Sequence, residues 1–211
     1  MVPTNYTPSH AAIGVQEKIL QQIHLKTKSI AVYQRDINPL RQALTQVAEQ
    51  SFECRASGTV EEITDSFNTY FADKLPNQEA LSADVLKLLG LFKQITRTSS
   101  FRVLLATIHT NMCRKFHTDI NDLRLLCTYV GPGTLWLPQE AVDPKASRAA
   151  SNQEIVLDES LIQKVNTGDV VILKGALYPD ANPILHRSPT IEGKGEKRLL
   201  LRIDTNESFC L

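Results

Sequence analysis

The residues of this chain best placed to do chemistry are two histidines and the acid that accompanies one of them. Phe116-His117-Thr118-Asp119 sets an imidazole and a carboxylate two positions apart. On extended backbone, side chains at that spacing leave the same face and converge on one point. His186 comes later, in Ile184-Leu185-His186. It follows Gly168-Asp169, a strand from residue 169 to 174 and a turn rich in Pro179, Asp180, Asn182 and Pro183. A later strand that delivers a second imidazole to a His-x-Asp pair is the pattern of a 2-His-1-carboxylate facial triad. Such a triad leaves coordination positions open, as an O2-activating Fe(II) centre requires. His117, Asp119 and His186 are therefore the expected metal ligands.

Arginines add a second element. In Lys197-Arg198-Leu199-Leu200-Leu201-Arg202-Ile203-Asp204, strand alternation puts Arg198, Leu200 and Arg202 on one face and Leu199, Leu201 and Ile203 on the other. An inward guanidinium is costly unless an anion meets it. A carboxylate cosubstrate such as 2-oxoglutarate suits that need, gripped in bidentate fashion. Arg198 is the expected clamp, and Arg202 suits a solvated charge at the strand end better. Arg124 and Tyr129 lie on an earlier strand with opposite parity, so at most one can enter a barrel without a bulge. Arg124 reads as a second anion contact or an ion-pair partner, Tyr129 as a core aromatic or a cofactor contact. Cys113 precedes His117 by four positions, and a Cys/His/Asp/His set would favour tetrahedral Zn2+ as the alternative metal. Phe116 and Trp136 are candidates for the pocket lining. His10 (in a loose N-terminus), His24 and His109 read as structural or solvated.

The elements that must position these groups divide near residue 100. Before it, Asn38-Pro39 reads as a helix start, with Leu40, Leu44, Val47 and Ala48 at helical spacing. Thr59-x-x-Glu62 is a capping box ahead of Ile63, Phe67, Tyr70 and Phe71. Leu75-Pro76-Asn77 ends that helix, and a third runs from Ala80 to Ile95, after a short strand near residues 30–33. Beyond residue 100 the period becomes two. Strands are expected over 101–109, 123–130, 134–137, 169–174 and 198–204, with a turn at Gly131-Pro132-Gly133 and an exposed loop over 141–153. Helices first and strands afterwards predict an α+β fold, with residues 1–100 as a mainly helical cover on an antiparallel jelly-roll or barrel core over 101–211.

Composition narrows the partners. The 211 residues, taken as a single domain, carry 42% hydrophobic and 22% charged side chains, ordinary globular values. Lys+Arg and Asp+Glu both number 23, and a chain with no basic surplus is not built to neutralise phosphates. That argues against nucleic acid and leaves a small-molecule or carboxylate ligand. The start of the chain has no signal-peptide pattern, and no apolar run suits a membrane span. The cysteines at 54, 113, 127 and 210 show no regular spacing, so reduced thiols in a cytoplasmic protein are expected. Neutrality is also uneven. Residues 186–202 hold Arg187, Lys194, Lys197, Arg198 and Arg202 against Glu192 and Glu196, beside the expected ligands.

Two resemblances bear on these residues. The signature Phe116-His117-Thr118-Asp119, Arg124-Leu125-Leu126-Cys127-Thr128-Tyr129-Val130-Gly131-Pro132-Gly133-Thr134, His186-Arg187-Ser188-Pro189 and Arg198-Leu199-Leu200-Leu201-Arg202-Ile203-Asp204 is similar to that of an uncharacterised bacterial domain-of-unknown-function family. That resemblance implies no reaction, and only a link to metal homeostasis, which fits a non-enzymatic zinc-binding cupin-like protein. More remotely, the His-x-Asp…His…Arg order resembles the iron- and 2-oxoglutarate-dependent dioxygenases of the double-stranded β-helix fold. It implies His117, Asp119 and His186 as iron ligands, Arg198 as the 2-oxoglutarate clamp, and helices packed on a double-stranded β-helix. Arg198 lies twelve positions beyond His186, further than is usual in those enzymes. A longer hairpin at Glu192-Gly193-Lys194-Gly195 would absorb the difference; otherwise Lys197, Arg202 or Arg187 would substitute.

Overall fold

The computed structural model describes residues 8–75, 78–147, 150–179 and 182–205. Pro76, Asn77, Asp180 and Cys210, which enter the sequence reading, lie outside the described residues. Along the chain run β1 (Ala11–Gly14), β2 (Ile30–Tyr33), α1 (Arg41–Ala48), β3 (Glu53–Gly58), α2 (Val60–Lys74), α3 (Glu79–Thr96), β4 (Phe101–Ile108) and β5 (Leu123–Val130). Then come β6 (Leu135–Leu137), α4 (Asn152–Ile155), β7 (Gln163–Lys164), β8 (Val170–Lys174), β9 (Leu185–Arg187) and β10 (Arg198–Thr205).

Two sheets form. The larger has the order β1-β2-β8-β5-β10-β4-β3, the smaller β7-β6-β9. Pairing is antiparallel throughout the described ladders except between β1 and β2. The larger sheet is apolar on both faces, and the period of two sorts its side chains. Odd positions of β4, β5 and β10 (Val103 and Leu105, Leu125 and Cys127, Leu199 and Leu201) pack against α1 to α3. Even positions (Leu104, Ala106, Leu126, Leu200) face the other way and pack with Trp136, Val165 and Ile184 from the smaller sheet and its flanks. The helices thus cover one face and the smaller sheet the other, so the fold is α+β on a two-sheet core.

The helices form where their sequences predict. Thr59 and Glu62 make the reciprocal capping box of α2, which buries Ile63, Phe67 and Phe71 on one stripe. α3 buries Leu81, Val85, Leu88, Leu89, Phe92 and Ile95. Asn38 does not cap a helix. Residues Asn38–Leu40 form a 3-10 turn, and α1 starts at Arg41 without a side-chain cap.

Other differences follow from patterns too short or too polar to read. The first hundred residues supply β1 and β3, the two edges of the larger sheet, as well as β2. β1 is only four residues, Ala11-Ala12-Ile13-Gly14, too few to show a pattern, and β3 alternates exposed Glu53 and Arg55 with buried Cys54, so it carries no apolar run. The segment expected to be an exposed loop buries Ala141 and Ala150 with Ile155, Phe116 and Leu137 in a small separate core. Gly131-Pro132-Gly133 is not a hairpin turn within one sheet. It carries the chain from β5 in the larger sheet to β6 in the smaller one. Gly131 sits at φ +82°, and a Cβ on Gly133 would stand 1.9 Å from the Val165 carbonyl oxygen. No described helix is long and apolar enough to cross a membrane.

Candidate metal centre

His117 lies outside the strands, yet its backbone is tied to one. It forms an isolated antiparallel bridge with His186 of β9. His117 N–H donates to the His186 carbonyl (3.1 Å) and His186 N–H donates back (3.0 Å). Directly opposed residues project to the same side of a sheet. The two imidazoles therefore stand together, with ring centroids 4.6 Å apart. Asp119, two residues beyond His117, turns its carboxylate into the gap. Its oxygens lie 3.6 Å from His117 Nε2 and 3.3 Å from His186 Nε2. One candidate ligand atom from each of the three residues falls within 4.8 Å of the others.

The tautomers favour coordination. His117 Nδ1 faces the Lys115 carbonyl at 2.9 Å and His186 Nδ1 faces the Ile184 carbonyl at 3.4 Å. Carbonyls only accept, so in the neutral rings the protons sit on Nδ1 and the Nε2 lone pairs point at Asp119. Asp119 Oδ1 takes a hydrogen bond from Arg124 Nη1. Asp119 Oδ2 is buried and accepts none, despite its nearness to His186. Two inward lone pairs and an orphaned carboxylate oxygen form a donor set that fits a divalent metal.

The electrostatics of the three side chains favour positive charge between them. Hydrogen bonds to Asp119 and then to Cys113 push His117 up to about 10 against the pull of its burial. Burial pushes His186 down to about 4, with the Asp119 charge opposing. Burial alone would raise Asp119, but the hydrogen bond with His117 and the charges of His186 and Arg124 hold it below the usual carboxylate range. A hydrogen bond to His117 likewise lowers the Cys113 thiol. A proton on His117 thus stands where a metal would place positive charge.

Behind the cluster, the inward face of β10 meets that of β5. Arg124 bridges two acids: Nη1 reaches Asp119, while Nε and Nη2 hold Asp204 at 2.5 and 3.2 Å. Arg202 Nε also lies 3.3 Å from Asp204, and Asn121 donates to it at 3.0 Å. Arg198 is different. Its side chain is 2% exposed, yet its neighbours are hydroxyls: Thr128 Oγ1 at 2.9 Å, Thr134 Oγ1 at 3.4 Å and Ser188 Oγ at 3.5 Å. Its Nε has no hydrogen-bond partner, and burial pushes its pKa down to about 10. Among the described residues, Asp119 and Asp204 are matched by Arg124 and Arg202, whereas Arg198 meets no acid. His117, His186, Arg124, Arg198 and Arg202 border one small, half-open space of about 50 Å³, whose lining also includes the exposed Met112 and Cys113.

Other expected site residues go elsewhere. Tyr129 is no part of this cluster. The β5–β10 register shifts at this point, opposite Leu199 and Leu200, yet the ring still points to the helices, where its hydroxyl donates to Asp84 at 2.6 Å. Lys197 pairs with Glu49 at 3.2 Å, away from the ligands. Arg187 borders the small space and stacks over Phe116 at 5.0 Å. Trp136 packs between the sheets, edge-on to His10. His10 is buried there, not loose, with neither ring nitrogen hydrogen-bonded. Cys54, Cys113 and Cys127 are free thiols. Asp204, Asn121, Thr128, Thr134 and Ser188 were not singled out by sequence reasoning. Asp204 shares the parity of Arg198 and Arg202, a signal that could have found it.

A family model described as protein of unknown function (DUF1826) matches residues 14–204. The chain belongs to this family. The span takes in every expected ligand and both arginine-bearing strands. No protein with a curated function matches the chain by sequence. Among solved structures, the chain is similar to dioxygenase for auxin oxidation 1 from Arabidopsis thaliana, in a binary complex with 2-oxoglutarate. The TM-score is 0.56 at 11% identity, over 95% of this chain and 93% of that one. A prolyl-4-hydroxylase from Pseudomonas putida matches at TM-score 0.46 and 10% identity, over 92% and 100% of the two chains. The full-length T7H of Neurospora crassa in complex with alpha-KG gives 0.43 and 11%, over 90% and 78%. At such identities the likeness concerns the fold, and the family member described here has a double-stranded β-helix core under an α-helical cover.

Proposed function

We propose that the chain is an Fe(II)/2-oxoglutarate-type oxygenase, with His117, Asp119 and His186 as iron ligands and Arg198 as the clamp for the far carboxylate of 2-oxoglutarate. The observation that carries this reading is a buried guanidinium without an acid, on the same inward face that borders a His-Asp-His cluster. A buried charge of that kind calls for an anionic ligand. Charge balance favours the same pair, since a dication and a dicarboxylate cancel and leave the surrounding acids and arginines as they are. When bound, iron and 2-oxoglutarate together would supply O2 activation coupled to decarboxylation of the keto acid and oxidation of a substrate C–H bond.

The protein's own residues have distinct tasks. The bridge between His117 and His186 fixes two ligands by backbone hydrogen bonds, so neither imidazole depends on side-chain packing alone. Arg124, held by Asp204, occupies Asp119 Oδ1 and leaves Oδ2 for the metal. Thr128, Thr134 and Ser188 orient Arg198 and offer hydroxyls to a carboxylate. The space as it stands is about 50 Å³, enough for roughly one water. Seating a five-carbon diacid there therefore requires the lining to make room, and Met112 and Cys113 are its exposed members. Their segment is tied to the stretch after β9: Ser188 N–H donates to the Cys113 carbonyl, and Asn111 Oδ1 accepts from Ile191 N–H.

A second reading, a non-enzymatic zinc-binding protein, is supported by the Cys113 thiol beside His117. Metal analysis of protein purified without chelators, paired with a succinate assay, separates the two. Iron uptake with 2-oxoglutarate-dependent succinate release, absent in His186→Ala, is the expected result. Stoichiometric zinc that resists exchange and no succinate would favour the second reading.

A further inference from the structure

Asp119 is fixed from two directions. Its backbone belongs to a loop held by the segment that starts β8's exit. There the N–H groups of Gly175, Ala176 and Leu177 donate to the carbonyls of Asp122, Asp119 and Asn121 at 2.8, 2.8 and 3.0 Å. The fit is close, since a Cβ on Gly175 would stand 2.1 Å from the Asn121 carbonyl oxygen. The Asp119 carboxylate is turned by Arg124, whose Nη1 reaches Oδ1. Arg124 is set in turn by Asp204, which accepts from its Nε and Nη2. Asp204 is buried at the end of β10 and does not border the small space beside the cluster. Asn121 Nδ2 donates to its Oδ1 at 3.0 Å, and Arg202 Nε lies 3.3 Å from its Oδ2. One buried acid behind the ligands thus gathers two residues of the loop that carries Asp119 and one of its own strand.

We propose that Asp204 is a positioning residue for the metal: acting through Arg124, it holds Asp119 to a single coordinating oxygen, Oδ2. The inference rests on the reading of His117, Asp119 and His186 as metal ligands. Two bonds to Asp204 fix the plane of the guanidinium, so that Nη1 is aimed at one oxygen of Asp119. The other oxygen stays unpartnered, 3.3 Å from His186 Nε2. This matters for the chemistry. A facial triad leaves open the positions that a chelating keto acid and O2 need, and a carboxylate coordinating through both oxygens would fill one of them. Without the hold of Asp204, the guanidinium is free to take both Asp119 oxygens and to compete with the metal.

Titration of the full chain with Co(II), followed by visible absorption, tests the relay. Asp204→Asn keeps the size of the side chain and one acceptor oxygen but removes the charge. It should weaken Co(II) about ten- to a hundred-fold. Asn121→Ala, which removes one contact to Asp204, should give a smaller loss in the same direction and serves if Asp204→Asn does not fold. Arg124→Gln should still take up Co(II), with an altered absorption because Oδ1 is then free to coordinate. The chain with both Arg124→Gln and Asp204→Asn decides. If Asp204 acts through Arg124, its substitution there changes Co(II) affinity by less than about two-fold. A loss as large in the Arg124→Gln chain as in the unsubstituted one would overturn the proposal. So would Asp204→Asn and Asn121→Ala chains that bind Co(II) as the unsubstituted chain does. His186→Ala should abolish uptake in every background. An unsubstituted chain that takes up no Co(II) would overturn the metal reading itself, and the role of Asp204 with it.

Discussion

At the scale of single residues, the account turns on protons and charges that a ligand would replace. The ordinary histidine value is 6.5, and His117 is raised to about 10. A base raised in the fold contributes stability that is fully present below its unfolded pKa and is lost as pH rises through the folded one. That contribution therefore fades between about 6.5 and 10 in the metal-free chain. His186, lowered to about 4, acts oppositely and costs stability as pH falls from 6.5 toward 4. At neutral pH a metal must displace the His117 proton, whereas His186 and Asp119 are already deprotonated. Each metal bound should release about one proton, so affinity climbs with pH between about 6.5 and 8. Calorimetry in buffers of different ionisation enthalpy measures this, and no proton release would contradict it. Arg198 makes a second case. Arg198→Met removes a buried charge that meets no acid and should raise the unfolding free energy by about 1 kcal/mol. It should also abolish 2-oxoglutarate binding. Denaturant melts and a binding titration would show both changes in one variant; a destabilised Arg198→Met that still binds 2-oxoglutarate would refute the clamp.

At the scale of elements, the sheet decides which side each side chain serves, and Tyr129 shows how. It sits next to Thr128, which holds Arg198, yet it belongs to a network that docks α3 on the helix side. Asp84 of α3 accepts from Arg35 at 2.7 and 2.8 Å and from Tyr129 at 2.6 Å. Asp84→Ala would strand a buried guanidinium and should cost about 3 kcal/mol. Tyr129→Phe, which removes only a hydroxyl, should cost about 1 kcal/mol. Both should leave metal and 2-oxoglutarate binding unchanged, as thermal melts and titrations would show; a lost cosubstrate signal in Tyr129→Phe would return that residue to the site. Long periodic elements were legible in the sequence for plain reasons. α2 carries a capping box and a stripe, α3 a wide apolar stripe, and β4, β5, β8 and β10 have enough residues to show alternation or an apolar run. β1, β7 and β9 are too short for a pattern, and β3 carries charges at an edge. His-x-Asp and His186 could be read because a two-residue step has fixed geometry. The bridge that joins them could not, because it depends on pairing across 69 positions of chain. Arg198 was legible from strand parity, whereas its lack of an acid partner is a fact of packing.

At the scale of the whole molecule, the chain divides its labour between two faces of one large sheet. The helical face is an apolar core with the Arg35–Asp84–Tyr129 network, and it serves stability. The opposite face, closed by the smaller sheet, holds the charged groups that a metal and a dicarboxylate would complete. The neutral overall charge fits this layout, because the local basic surplus of residues 186–202 includes Arg187, Arg198 and Arg202, which border the small space beside the cluster. The family model covers both faces, and the structural likeness extends over nearly the whole chain. The account therefore stands or falls on whether the cluster and Arg198 act together. Anaerobic titration of Fe(II)-loaded protein with 2-oxoglutarate, followed by visible absorption, measures that directly. The account predicts a metal-to-ligand charge-transfer band that saturates at about one equivalent, vanishes in His186→Ala and in Arg198→Met, and persists in Tyr129→Phe. Iron bound without any such band on saturation with 2-oxoglutarate, or a band indifferent to Arg198, would contradict it.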